Sequence, residues 1–208
     1  MNFGAVILER FRLVRARTPQ RVAPPAEPVA PPRASRVGIL GLSRRVGTFS
    51  EVGLRSWDEA GCQAVEEVLA TAGESVFFVH RPLVIHVSLP QVQRVLRDWC
   101  DAPHLDSRCD LVLTVGGTGY TSQDVVPEAT LAVLHRVDPA IPQLLRIAAY
   151  DAGQPQGALS RGVAGLRRRT LLINLPGDAR GMADQDCLRT ATQALLPHLP
   201  GILAALRG

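Results

Sequence analysis

Asp110-Leu111-Val112-Leu113-Thr114-Val115-Gly116-Gly117-Thr118-Gly119 runs directly into Tyr120-Thr121-Ser122-Gln123-Asp124-Val125-Val126-Pro127-Glu128-Ala129-Thr130. The first half is an apolar, β-branched run and reads as a buried strand. The glycines that follow permit a tight turn in which backbone N–H groups approach a ligand. Pro127 then sets the backbone for a helix, whose N-terminus adds partial positive charge. Strand, glycine turn and helix in that order make an anion site. Asp124 adds a carboxylate where a phosphate-bound magnesium can sit.

Two common phosphate motifs are excluded. A P-loop needs Gly-Lys-Ser/Thr after its spacer, and no lysine follows here. The dinucleotide fingerprint needs G-x-G-x-x-G, which Gly116-Gly117-Thr118-Gly119 does not match.

Outward from this stretch, strand and helix patterns alternate. Val37 to Leu42 reads as a short buried strand, and Cys62 to Ala72 as a helix with Val65, Val68, Leu69 and Ala72 on one face, ended by Gly73. A strand over Val76 to Val79 and a helix over Leu89 to Trp99 follow. Leu111 to Val115 is the next strand and Val126 to Val137 its helix. Ile141 to Tyr150 reads as a helix and Leu171 to Leu175 as a strand halted by Pro176-Gly177. Helices over Met182 to Leu196 and Ile202 to Leu206 close the chain. Repeated β-α-β steps with fully apolar strands predict an α/β fold of three layers, a mostly parallel sheet with helices on both faces. Ligands of such sheets bind beyond the C-terminal strand ends. Both glycine turns, Gly116 to Gly119 and Pro176-Gly177, are expected there.

The composition agrees with one packed domain and a tail. The chain has 208 residues, of which 46% are hydrophobic, 20% charged and only 4% aromatic, so the core must rest on Val, Leu, Ile and Ala. Residues 1–34 are rich in proline and arginine and read as an extended or disordered leader, with the domain over 35–208. No apolar run reaches the ~20 residues of a membrane span. Met1 to Val14 is interrupted by Glu9, Arg10 and Arg12 and does not read as a secretory signal. The net charge of +4 comes without a basic stripe interleaved with aromatics, which argues against a nucleic-acid partner. Arg167-Arg168-Arg169 reads either as a solvated turn or as a positive rim that attracts phosphates. Cys62, Cys100, Cys109 and Cys187 form no C-x-x-C pair and read as reduced packing cysteines, consistent with a cytoplasmic location.

Three segments together identify a family resemblance. The string T-x-G-G-T-G-x-x-x-x-D-V-x-P-E-A-T over Thr114 to Thr130 is the first. Leu159-Ser160-Arg161, Ala164-Gly165-Leu166 and Leu172-Ile173-Asn174-Leu175-Pro176-Gly177 form the second, and Asp58-Glu59-Ala60-Gly61 the third. They resemble the signatures of the molybdopterin-binding family, the MogA and MoaB type proteins of molybdenum cofactor biosynthesis.

The resemblance implies the MogA-like fold and a homo-oligomer, trimer or hexamer. It also implies an activity, the adenylylation of molybdopterin with ATP and magnesium. Asp58 and Asp124 would be the two essential acids, binding magnesium and aligning substrate. Gly116, Gly117, Thr118, Gly119 and Ser122 would cradle phosphate. Ser160, Arg161, Asn174, Pro176 and Gly177 would hold the pterin side. Each acid also has a structural reading, as the N-cap of the helix that follows it.

The chain departs from the family pattern at several points. The family's S-D-R after the first strand is Ser43-Arg44-Arg45, so an acid becomes a base. P-G-[SN]-P becomes Pro176-Gly177-Asp178-Ala179, placing a negative charge beside an anion site. The residue before the key acid is Gln123 where arginine is usual. These changes motivate the rival expectation, a non-catalytic, MoaB-like pterin-binding or scaffold protein.

Overall fold

Apolar strands that alternate their side chains can bury both faces only if helices cover both. The computed structural model, which describes residues 34–43, 57–71, 76–78, 82–104, 107–177 and 185–207, has that architecture. In chain order the elements are β1 (Ser35–Ser43), α1 (Trp57–Ala70), β2 (Val76–Phe78), β3 (Leu83–His86), α2 (Leu89–Asp101), β4 (Leu111–Val115) and α3 (Val126–Leu131). Then come β5 (Arg136–Asp138), α4 (Ala140–Asp151), α5 (Pro155–Ala158), β6 (Ala164–Arg167), β7 (Thr170–Leu175), α6 (Gln185–Leu195) and α7 (Leu199–Arg207). One sheet runs in the order β2-β1-β4-β7-β6-β5, and β3 joins the same outer edge of β1 beyond β2. The pairings through β7 are parallel; β6 and β5 are antiparallel.

The alternation along β4 shows how the layers form. Leu111, Leu113 and Val115 pack with Cys62, Val65 and Leu69 of α1, Leu145 of α4, and Leu188 and Leu195 of α6. Val112 faces the other way, against Val92, Leu96 and Trp99 of α2 and Val126 and Ala129 of α3. All four cysteines are buried, and none is in a disulfide. Burial pushes the Cys100 and Cys109 thiols up to about 12, so both stay protonated and inert. Among the described residues no helix is long and apolar enough to cross a membrane.

Several elements differ from the sequence reading. The helix expected over Val126 to Val137 ends at Leu131, and Arg136–Asp138 becomes β5. Tertiary pairing overrides local pattern here. The His135 N–H donates to the Leu166 carbonyl, and β5 pairs with β6. Strands β3 and β6 were not expected. Both are short, and β6 contains Gly165, where a side chain would strike the Arg136 carbonyl across the pairing. Helix α1 starts at Trp57, five residues before the expected Cys62, so Asp58 lies within its first turn rather than ahead of it. The proline-rich leader lies outside the described residues except for Ala34, as do Arg44 and Asp178.

Arg167 ends β6, and Arg168 and Arg169 form the two-residue connection to β7, with Arg168 in the left-handed region at φ 52°. This hairpin precedes β7, so it sits at the opposite end of the sheet from the glycine turns. Arg167 pairs with Asp101 and donates to the Val133 carbonyl, while Arg168 reaches Asp101 at 3.0 Å. The positive-rim reading is therefore corrected for Arg167 and Arg168, whose charges tie the hairpin to the end of α2.

A buried ion pair fixes the start of the sheet. Arg36 Nη2 donates to Asp110 Oδ1 at 2.6 Å, and its Nε and backbone N–H both reach Oδ2 at 3.1 Å. Arg207, in α7, adds a longer contact of 3.4 Å to the same oxygen. Burial by itself would raise the Asp110 carboxyl, but its bonds to Arg36 and the charges of Arg36 and Arg207 outweigh it and hold it below the usual range. A depressed folded value stabilises above the unfolded pKa, near 3.9, and that contribution is lost as pH falls. Removing one partner of such a pair costs about 3–5 kcal/mol. Asp110→Asn is therefore expected to lose about that much in urea unfolding at pH 7. The gap to wild type should narrow as the pH is lowered toward 3; a gap independent of pH would contradict this role for the carboxylate.

Candidate functional site

The parallel pairing of β4 and β7 sets Val115 opposite Leu175, so the two strands end side by side. The turns that follow must then meet. They do so at backbone distance: a Cβ built on Gly177 would lie 2.4 Å from the Gly116 Cα. Gly116 and Gly117 take φ values of 95° and 66°, which glycine adopts without strain. The convergence expected of Gly116–Gly119 and Pro176-Gly177 is the geometry found.

The rest of the first turn is built around Asp124. This side chain is only 3% exposed. Its Oδ2 accepts from the Thr121 N–H at 2.8 Å and the Thr121 hydroxyl at 2.7 Å, closing the loop on itself. Any side chain at position 119 would collide with this carboxylate, since a Cβ there would lie 2.8 Å from Oδ2. Asp124 is not the cap of α3. That position belongs to Val125, and no side chain caps the helix. With six residues, α3 contributes little dipole to the turn. Thr118 is 4% exposed, and Tyr120 and Ser122 stand out to solvent on the loop surface.

Ser160 and Arg161 bring the second signature onto the first. The Ser160 hydroxyl donates to the Thr118 hydroxyl at 3.0 Å, and the Arg161 N–H donates to the Thr118 carbonyl at 3.0 Å. The Arg161 guanidinium spans the whole loop. Its Nε donates to the Gly119 carbonyl and its Nη2 to the Asp124 carbonyl, both at 2.6 Å. Its Nη1 pairs with Glu128 at the start of α3, and the group lies 5.8 Å over the Tyr120 ring. The hydrogen bond from Arg161 holds the Glu128 carboxyl below its usual range. Arg161 thus clamps the loop that carries Asp124.

Asn174 lies deeper, at 2% exposure. Its amide donates to the hydroxyls of Thr114 and Thr130 at 2.9 and 3.0 Å, and its Oδ1 accepts from the Val163 N–H at 3.2 Å. It knots β4, α3 and the segment after Ser160 together beneath the site. A small pocket beside the turns is lined by Ser160, Gly162, Asn174 and Pro176, with Pro142 and Arg146 from α4.

The structure therefore brings together Gly116 to Gly119, Asp124, Ser160, Arg161, Pro176 and Gly177, with Asn174 as the support below. The side chain of Asp58 lies outside the described part of its helix. Glu128, Tyr120 and Arg146 also belong to this neighbourhood. Glu128 and Tyr120 were in plain view within the glycine string. Arg146 had no sequence signal beyond its place in a helix.

A family model described as "probable molybdopterin binding domain" matches residues 90–198, which contain both glycine turns and the segment between them. The chain belongs to this molybdopterin-binding family. This molybdopterin-binding domain is 31% identical over 169 residues to the molybdopterin adenylyltransferase of Helicobacter pylori J99, covering 79% of this chain and 83% of that protein. To the molybdopterin adenylyltransferase of Escherichia coli K12 it is 31% identical over 149 residues, covering 72% and 70% of the two chains. The solved structure of the molybdopterin biosynthesis enzyme MoaB from Thermus thermophilus superposes with a TM-score of 0.64 at 37% identity, covering 83% of this chain and 96% of that one.

Among the described residues of this family member, no group of three or more His, Cys, Asp or Glu side chains could cage a metal ion. The donors gathered around Asp124 are oxygens, the ligand type that a hard cation such as magnesium takes.

The clamp has a measurable consequence. Arg161→Gln removes the bonds that span the loop, and the expected loss is about 1–3 kcal/mol. Hydrogen exchange at Tyr120 to Asp124 should quicken with it; exchange unchanged from wild type would contradict the clamp.

Proposed function

We propose that this protein acts in molybdenum cofactor biosynthesis by adenylylating molybdopterin. The observation that carries the reading is the convergence of Thr118, Gly119 and Asp124 with Ser160 and the Pro176-Gly177 turn at the C-terminal edge of β4 and β7. The resemblance to adenylyltransferases over most of the chain supports the same reaction.

In that reaction a phosphate oxygen of molybdopterin attacks the α-phosphorus of ATP. The bond to the β-phosphate breaks, and pyrophosphate leaves. The demand on the protein is to gather negative oxygens in line and compensate their charge. The backbone N–H groups of Gly117 to Gly119 supply donors fixed in place before substrate arrives. Thr118 and Ser160 offer hydroxyls between the nucleotide and pterin sides. Arg161 keeps the loop from relaxing away from the phosphates. Magnesium bound with the nucleotide would supply charge neutralisation, held by Asp124 and, by family resemblance, Asp58. A cytoplasmic homo-oligomer, trimer or hexamer, belongs to the same reading.

The test is Asp124→Asn. The amide keeps an oxygen to accept from Thr121, so the melting temperature should stay near that of wild type. ATP-dependent pyrophosphate release should fall by on the order of a hundredfold or more. Activity and melting temperature falling together would mean that Asp124 serves the fold alone. Wild type that binds molybdopterin and ATP without releasing pyrophosphate would favour the non-catalytic scaffold instead.

A further inference from the structure

The proposed reaction leaves Arg146 unused. This residue stands on α4, one turn beyond Pro142, and lines the small pocket with Ser160, Gly162, Asn174 and Pro176. The arginines that hold the fold together each meet a carboxylate: Arg36 with Asp110, Arg161 with Glu128, Arg167 with Asp101. Arg146 meets none among the described residues. It reaches only the carbonyls of Ser160 and Gly162, at 3.4 and 3.5 Å, both from the same terminal nitrogen. Those lengths are the far limit of a hydrogen bond. A guanidinium carries five N–H donors in a planar fork that matches pairs of phosphate oxygens.

Its position gives that spare capacity a direction. Ser160 belongs to the pocket and also donates to Thr118, so pocket and glycine turn share a wall. Ile141 and Leu145 pack α4 into the core beneath the sheet and Ala149 is buried too, so the arginine is presented from a fixed helix. A half-buried cation without a counter-ion, adjoining a phosphate cradle, is a complement for further negative charge. Its field is screened less than that of a surface arginine.

We propose that Arg146 is a substrate-binding residue that grips a second phosphate, across the Thr118–Ser160 contact from the one held by the glycine turn. The inference rests on the reading of that turn as a phosphate cradle. Binding would exchange two stretched bonds to neutral carbonyls for charge-assisted ones, which are shorter and stronger. The phosphate belongs either to the pterin monoester or to the nucleotide; the recognition chemistry is the same.

The experiment titrates the full chain with inorganic orthophosphate and pyrophosphate by calorimetry. Wild type is compared with Arg146→Gln, Arg146→Lys and Arg168→Gln, the last removing a charge at the far end of the sheet. Arg146→Gln is expected to weaken at least one probe tenfold or more, Arg146→Lys to restore part of the loss, and Arg168→Gln to change neither. Loss for orthophosphate alone assigns the monoester, and loss for pyrophosphate assigns the nucleotide. A second measurement needs no variant: bound probe should protect Arg146 of wild type from phenylglyoxal, read by peptide mass spectrometry. Equal affinity in Arg146→Gln, or modification of Arg146 undiminished by either probe, overturns the proposal. Arg146→Gln with wild-type affinity and turnover would sink it while leaving the adenylyltransferase reading intact. Wild type that binds phosphate through Arg146 yet releases no pyrophosphate would sink only the latter.

Discussion

The register between β4 and β7 is the constraint on which the site depends. Five residues of each strand pair in parallel, from Leu111 with Leu171 to Val115 with Leu175. A slip of one residue would turn every side chain to the opposite face and separate the two glycine turns. The register is pinned at several points. Apolar alternation divides the strands between two helix layers, and Thr170 donates to the Cys109 carbonyl at the entry end. Toward the exit, Asn174 reaches sideways to Thr114 and Thr130. A buried amide with three satisfied bonds tolerates no other alignment, because a slip would leave those groups unpaired in the interior. The close approach of Gly177 to Gly116 then follows from the strand ends.

Charge within the site is arranged in the same economical way. The Arg161 guanidinium is consumed by backbone carbonyls and by Glu128, so it shapes the loop and adds little net field. Asp124 accepts from Thr121 of its own loop and brings its negative charge close to the turn. The site as it stands is therefore not strongly positive. Such a balance suits an anion accompanied by its own cation better than a bare one.

Much of this was legible in the residues. Largely apolar strands such as Leu111 to Val115 gave the layers, and the glycine and proline positions gave the turns beyond them. The position of the site followed, because a parallel sheet presents its connections at the C-terminal edge. What escaped was set by partners distant in sequence. Nothing local to Val126–Val137 announces that the segment must stop to let β5 pair with β6. Short strands such as Leu83–His86 and Ala164–Arg167 carry too few residues for a period to show. The roles of Arg161 and Asn174 also lay beyond a linear reading. Their motif positions were visible, but only the fold reveals that one braces a loop and the other fastens two elements from below.

On the proposed reading, the backbone of Gly116 to Gly119, Asp124 and the Ser160–Pro176 wall form one receptor for phosphorylated substrates. A crystal structure of the protein soaked with ATP and magnesium tests it most directly. Nucleotide phosphates are expected against the N–H groups of Gly117 to Gly119, with the metal between them and the Asp124 carboxylate. Nucleotide bound elsewhere on the sheet, with that turn occupied only by water at saturating ATP, would contradict it.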